Sequence, residues 1–232
     1  MIDPNSLLHD LTEPQREAVT HLEGPLLVLA GPGSGKTRVI TRRVAYLVSQ
    51  GIPAWNVLAV TFTNKAAGEM RDRIDALLPE HIAGRRGLTV STFHALCARL
   101  LRRFAAQANL DPSFVIYDSS DQRAAIKRAL ADAGMDGGQW TPAAVASAIG
   151  QAKNALLDAS AYAEQAGDFY SRSIARVYSA YESVLTASRA VDFDDLLLRT
   201  AQLLRSDGGV LTELQERFRY LLIDEYQDTN HA

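Results

Sequence analysis

Thr12, with Pro14 and Gln15 just behind it, reads as the capped start of a helix running to about Leu22. After the turn at Gly24-Pro25, the unbroken apolar run Leu26 to Ala30 predicts a strand buried on both faces. Spacing then changes. Val39, Ile40, Val44 and Leu47 recur with helical period, predicting a helix from Gly35 to about Gln50 that Gly51 stops. A second strand is expected over Val57–Phe62 and a helix from Lys65 to Leu78, ended by Pro79. A third strand is expected over Leu88–Thr92, followed by a helix from about Ala95 to Ala108. Strand and helix alternating three times imply a parallel sheet with right-handed crossovers.

From about Asp118 to Arg205 the pattern is almost wholly helical. Ser119 with Gln122 reads as a capping box, Thr141-Pro142 as a helix start, and Ser171 to Ser188 as a further helix. Gly137-Gly138 and Gly208-Gly209 read as loops. Tyr220–Ile223 returns to the buried-strand pattern and carries Asp224-Glu225 at its C-terminal end. Ligands of open α/β sheets collect at the carboxyl ends of strands, so this acidic pair and the Gly31–Thr37 turn belong on one edge.

Composition adds bounds. The 232 residues, 47% hydrophobic, suffice for one large domain or two small ones. No apolar run approaches the roughly 18 residues of a membrane span. No basic, apolar leader is seen, and the chain is read as cytoplasmic. Cys97 is the single cysteine, which excludes an internal disulfide and a cysteine metal cluster; beside Leu96 and Leu100 it reads as a small buried apolar residue. Net charge is −3, yet residues 1–110 carry 13 Lys+Arg against 9 Asp+Glu, and residues 111–232 carry 11 against 18. Only the first half could offer phosphates a basic patch.

The chemistry concentrates in Ala30-Gly31-Pro32-Gly33-Ser34-Gly35-Lys36-Thr37. A strand that breaks into a glycine-rich turn and ends in Gly-Lys-Thr at a helix start is a phosphate cradle. Glycines let successive N–H groups face inward, and the helix adds about half a positive charge at its N-terminus. Lys36 can reach the β- and γ-phosphates and the Thr37 hydroxyl can ligate Mg²⁺. The strict pattern has Gly where Ala30 stands; Gly31 and Gly33 still supply the freedom the turn needs. With a cradle present, Asp224 suits the Mg²⁺ complex and Glu225 the attacking water.

These strings, in this order, resemble the N-terminal part of the UvrD/Rep/PcrA-type superfamily I DNA helicases over nearly the whole chain. The matching blocks are Leu11–Val19, Ala30–Thr37, Thr61–Ala67, Ser91–His94, Asp192–Leu197 and Asp224–Asn230. The resemblance implies an α/β, RecA-like P-loop sheet, incomplete at its C-terminus, formed by residues 1–110 and 190–232, with 111–189 as a helical insertion subdomain. It implies ATP and Mg²⁺ as cofactors, with Gln15 reading adenine, Arg38 against the base or ribose, and Gly31, Gly33, Ser34, Gly35, Lys36 and Thr37 around the phosphates. Lys36, Asp224 and Glu225 would be catalytic, and Thr37 with Asp224 would hold Mg²⁺. Phe62, Thr63, Asn64, Lys65, Thr92, Phe93 and His94 would line a single-stranded DNA track. Asp192, Asp194 and Asp195 read as helix caps and domain contacts before catalysis.

Partners implied are single-stranded DNA or DNA junctions, in repair or replication, and no membrane. Family members continue past Ala232 into a second RecA-like domain, so unwinding is not expected of this portion alone. The rival reading is a module that binds nucleotide or a partner without turnover; a P-loop kinase or GTPase would leave Gln15 and the Thr-Asn-Lys-Ala-Ala block unexplained. In the family's sheet a later strand separates the Leu26–Ala30 strand from Tyr220–Ile223. Three outcomes are therefore expected: a neighbouring chain or the missing helicase domains fill the gap, the acidic strand shifts, or residues after about Leu211 hold loosely. The helices and parallel strands of residues 1–110 are expected to form in every case.

Overall fold

The computed structural model describes residues 4–78, 87–135, 138 and 140–229. Pro79, Gly137 and Asn230, on which parts of the sequence reading fall, lie outside the described residues. The chain divides into two compact units, one formed by residues up to Phe93 with Thr212–Asp228, the other by His94–Leu211 with Thr229. The sequence reading places the changes near residues 110 and 190.

In the first unit, α1 (Pro4–Leu8), α2 (Glu13–Thr20) and α3 (Lys36–Ser49) precede β1 (Val57–Thr61), α4 (Asn64–Leu77) and β2 (Thr89–Thr92). After the second unit the chain returns with β5 (Tyr220–Ile223). The sheet order is β2-β1-β5, all parallel, with Leu58 opposite Thr89 and Val57 opposite Tyr220. Every residue of β1 is buried, as a central parallel strand covered on both faces requires. Val44 and Leu47 of α3, Met70 and Ile74 of α4, and Ala59, Val90 and Leu222 of the strands form one core. Burying such side chains supplies about 1.5–3 kcal/mol each.

Leu26–Ala30 departs from expectation: it forms no strand. Leu27 and Leu29 are 66% and 86% exposed. A strand exists only through a neighbour that takes its backbone groups. The sheet ends at β2 on one side and β5 on the other, and none of the described strands pairs with residues 26–30. The expectation that residues 1–110 keep all their parallel strands is thus corrected. The departure falls on the glycine-loop segment and not on the acidic strand, which holds a four-residue register with β1.

The second unit contains α5 (Phe93–Arg103, from its second residue on), α6 (Ser119–Asp132), α7 (Pro142–Asn154), α8 (Ala159–Gln165), α9 (Phe169–Ala187) and α10 (Phe193–Ser206). Cys97 is buried on α5. Ile126, Val145, Ile149, Ile174, Tyr178 and Leu185 interlock α6, α7 and α9. Two-residue strands that the apolar pattern was too short to announce, β3 (Val115–Ile116) and β4 (Ala190–Val191), pair in parallel. Two turn readings are also corrected. The box that starts α6 is Asp118 with Asp121, whose carboxylates take each other's backbone N–H, not Ser119 with Gln122. Gly208 and Gly209 open a helix, α11 (Gly208–Arg217), because Asp207 Oδ1 accepts from the N–H groups of Gly209 and Val210. A carboxylate cap satisfies donors that glycine would otherwise leave to water.

A buried charge cluster joins α7, α9 and α10. Lys153, with no exposed side-chain surface, lies 2.7 Å from Asp195, 2.9 Å from Asp192 and 3.0 Å from Glu182. Asp192 also caps α10 by accepting from the Asp195 N–H, and it accepts from the Tyr181 hydroxyl at 2.8 Å. Arg199 reaches Glu182 at 2.9 Å. Burial works against both aspartates, but Lys153 wins at Asp192, which sits below its ordinary pKa. At Asp195 burial prevails and pushes the carboxyl up to about 6. Burial works against the Lys153 charge too, and the three carboxylates overcome it, so its pKa is raised. A raised amine pKa contributes stability that is full below the unfolded value and is lost only at alkaline pH. Replacing Lys153 by Met leaves buried carboxylates uncompensated and should cost about 3–5 kcal/mol at neutral pH. Those carboxylates can then be neutralised by protons, so the deficit should shrink as pH falls from 7 towards 4. Urea unfolding across that range checks it; a deficit independent of pH would contradict the ionic account.

Candidate functional site

Because β1, β2 and β5 run in parallel, their carboxyl ends share one edge of the first unit. That edge carries Phe62, Phe93 and Asp224, each directly after its strand. Chain direction alone therefore gathers residues far apart in sequence.

The glycine loop forms a turn in which Ser34 donates to the Gly31 carbonyl through both its N–H (3.3 Å) and its hydroxyl (2.6 Å). Gly33 and Gly35 take φ values of 75° and 86°, a region costing other residues about 1–2 kcal/mol. Lys36, Thr37 and Arg38 are the first residues of α3, where backbone N–H groups lack helical acceptors and the dipole favours anions. The Lys36 ammonium donates to the Ala30 carbonyl at 3.4 Å and lies 3.9 Å from Glu225 Oε1. Gly33 to Arg38 line a cavity of about 730 Å³ together with Arg73, Glu225 and Gln227. Arg73 lies on α4, nine residues after Asn64, and nothing in local spacing marks it.

Gln15, in the first turn of α2, reaches the loop. Its Oε1 accepts from the Thr12 N–H at 3.1 Å and its Nε2 donates to the Ser34 carbonyl at 2.8 Å. The helix start and the glycine loop are thus tied by one side chain.

At the end of β5 the Asp224 N–H donates to the Val60 carbonyl at 2.9 Å, extending the ladder by one bond. Asp224 is buried, and its Oδ1 accepts from the Glu225 N–H. Burial first, and then the neighbouring Glu225 charge, raise the Asp224 pKa; the Glu225 N–H and Lys36 oppose the rise. Glu225 turns with φ 52°, and its Oε2 accepts from Gln227 Nε2 at 2.6 Å. Glu225 lines the cavity with Lys36 and Thr37; Asp224 does not line it.

The residues named for a nucleic-acid track are placed unevenly. The Phe62 and Phe93 rings lie 5.3 Å apart at neighbouring strand ends, and Phe62 is 37% exposed. The Thr63 hydroxyl caps α4 by accepting from the Ala66 N–H, with Asn64 and Lys65 exposed in the first turn. Thr92 is buried. His94 belongs to the second unit, 5.3 Å from the ring of Phe193, which is 54% exposed. Burial depresses the His94 pKa, with Asp194 acting against it. In the sequence Phe193 is marked only by the aspartates on either side of it.

Residues 11–232 match the UvrD/REP helicase N-terminal domain. The chain is 47% identical over 228 residues to an ATP-dependent DNA helicase PcrA of Leuconostoc citreum, covering 98% of this chain and 30% of that protein. It is 41% identical over 229 residues to the PcrA of Bacillus subtilis (strain 168), covering 98% and 31%. It thus spans under a third of the length of these relatives. With nearly all of its length accounted for by that domain, the chain belongs to the UvrD/REP helicase family.

Proposed function

We propose that this chain is the N-terminal ATP-binding part of an ATP-dependent DNA helicase or translocase that moves on single-stranded DNA, in DNA repair or replication and in a cytoplasmic setting. The observation that carries the reading is the approach of the Lys36 ammonium to the Glu225 carboxylate, 3.9 Å apart on a cavity that the glycine loop also lines. That pairing supports a reading in which a phosphate-binding cation and a general base share one volume. The relatives' printed name, ATP-dependent DNA helicase, fits such a site.

Lys36 leaves the Ala30 carbonyl, its long 3.4 Å partner, for the stronger charge of a phosphate. The free N–H groups of the loop and of the first turn of α3 take the remaining phosphate oxygens. Arg38 covers the base or ribose. Thr37 and Asp224 supply two oxygens, which suits Mg²⁺, a cation usually held by one or two protein oxygens plus substrate phosphates. If held there, Mg²⁺ would neutralise charge developing on the phosphates and would relieve the desolvated carboxylate that Asp224 presents. Glu225, oriented by Gln227, takes the proton of the attacking water. Phe62 with Phe93 offers bases a stacking surface, Lys65 faces phosphates, and the helix-rich second unit is the insertion within the RecA-like domain.

Lys36→Ala should abolish or nearly abolish Mg-ATP binding in a calorimetric titration while leaving the melting temperature close to that of the unaltered chain, since the lysine points into the cavity. Retained binding would remove the loop from the site. Single-stranded DNA binding should weaken steeply with added salt. Phe62→Ala should cost it a further 1–3 kcal/mol, about the value of one base stacked on an aromatic. Fluorescence anisotropy with an oligothymidylate reads both; an unchanged affinity would move the nucleic-acid surface elsewhere.

A further inference from the structure

We infer that Gln15 is a positioning residue for the phosphate loop, holding it in its binding conformation whatever base the ligand carries. The inference rests on the nucleotide-site reading above and extends it from the base to the triphosphate. Two contacts of one side-chain nitrogen support it. The Gln15 Nε2 donates to the carbonyl of Ser34, within the loop, at 2.8 Å. The same nitrogen would lie 3.1 Å from a Cβ built on Gly35, so the amide packs directly against the residue that starts α3.

The orientation of the amide is fixed from both ends. Its Oε1 accepts from the Thr12 N–H at 3.1 Å. Turning the amide over would set Nε2 against that N–H and Oε1 against the Ser34 carbonyl, opposing like groups at both ends. A primary amide has two donor hydrogens and two acceptor lone pairs. The protein-side bonds use one of each, leaving one donor and one acceptor in a fixed order for a purine edge. Gln15 therefore bridges base and loop at once and does not have to release one to hold the other. A residue that only read the base would matter only to ligands that have one. A residue that sets the Ser34 carbonyl also matters to a ligand made of phosphate alone.

The test compares Mg-ATP with Mg-tripolyphosphate, which has no base, on the full 232-residue chain and on Gln15→Met, which keeps bulk and adds no charge. Losing one neutral hydrogen bond at the loop should weaken tripolyphosphate roughly three- to tenfold, and ATP at least as much. Tripolyphosphate affinity equal in both proteins, with ATP alone weakened, would overturn the inference and leave the nucleotide site standing. Failure of the unaltered chain to bind either ligand would overturn the nucleotide-site reading and this inference with it. The second measurement needs no variant. In the ligand-free chain the Gln15 side-chain NH₂ protons should exchange with water more slowly than those of exposed glutamines, as seen by NMR; exchange at the free rate would also overturn it.

Discussion

The candidate site depends first on the parallel register of β5 against β1. With Val57 opposite Tyr220 and Val60 opposite Ile223, the ladder runs one bond further, to the Asp224 N–H, and then stops. Beyond that bond the backbone is free to turn, and Glu225 does so with a positive φ. A slip of one residue would exchange the two faces of the strand, burying Leu221 in place of Leu222 and re-aiming the carboxylates. The apolar core beneath, with Leu222 against β1 and the helices, is what makes such a slip costly.

The glycine loop is positioned by other means. Its leading segment, residues 26–30, takes no part in the ladder, so the sheet does not fix it directly. Its trailing end is fixed by α3, whose Val44 and Leu47 sit in the core. Between these ends the loop is held by contacts of its own: Ser34 to Gly31, Lys36 to Ala30 and Gln15 to Ser34. Each of these hydrogen bonds ends on a backbone carbonyl. A loop held in this way can change its hydrogen bonds without disturbing the hydrophobic core.

The second unit solves a different problem with a similar residue type. Asp192 is both the cap of α10 and an acceptor for Lys153 and Tyr181, so one carboxylate fixes a helix start and ties three helices. An apolar substitute for the whole cluster could be as stable. Removing one member cannot be, because a buried charge is tolerable only with its partners.

Local sequence determined much of this protein. Glycines in Gly33-Ser34-Gly35 fixed the turn before Lys36, and the period of Val39, Val44 and Leu47 fixed the helix after it. The all-apolar Val57–Val60 fixed a central strand. These are short-range consequences of backbone freedom and burial, and they need no knowledge of the rest of the chain. Tertiary structure decided what depends on a partner distant in sequence. Leu26–Ala30 has the composition of a strand, but a strand also requires a neighbour, and none of the described strands pairs with it. Lys153 reads as an ordinary helix lysine until Glu182, Asp192 and Asp195 surround it. Arg73 and Phe193 join their surroundings through the packing of whole elements, a relation that no local spacing encodes. Hydrophobic periodicity specifies which face of an element is buried; only the folded chain specifies what it is buried against.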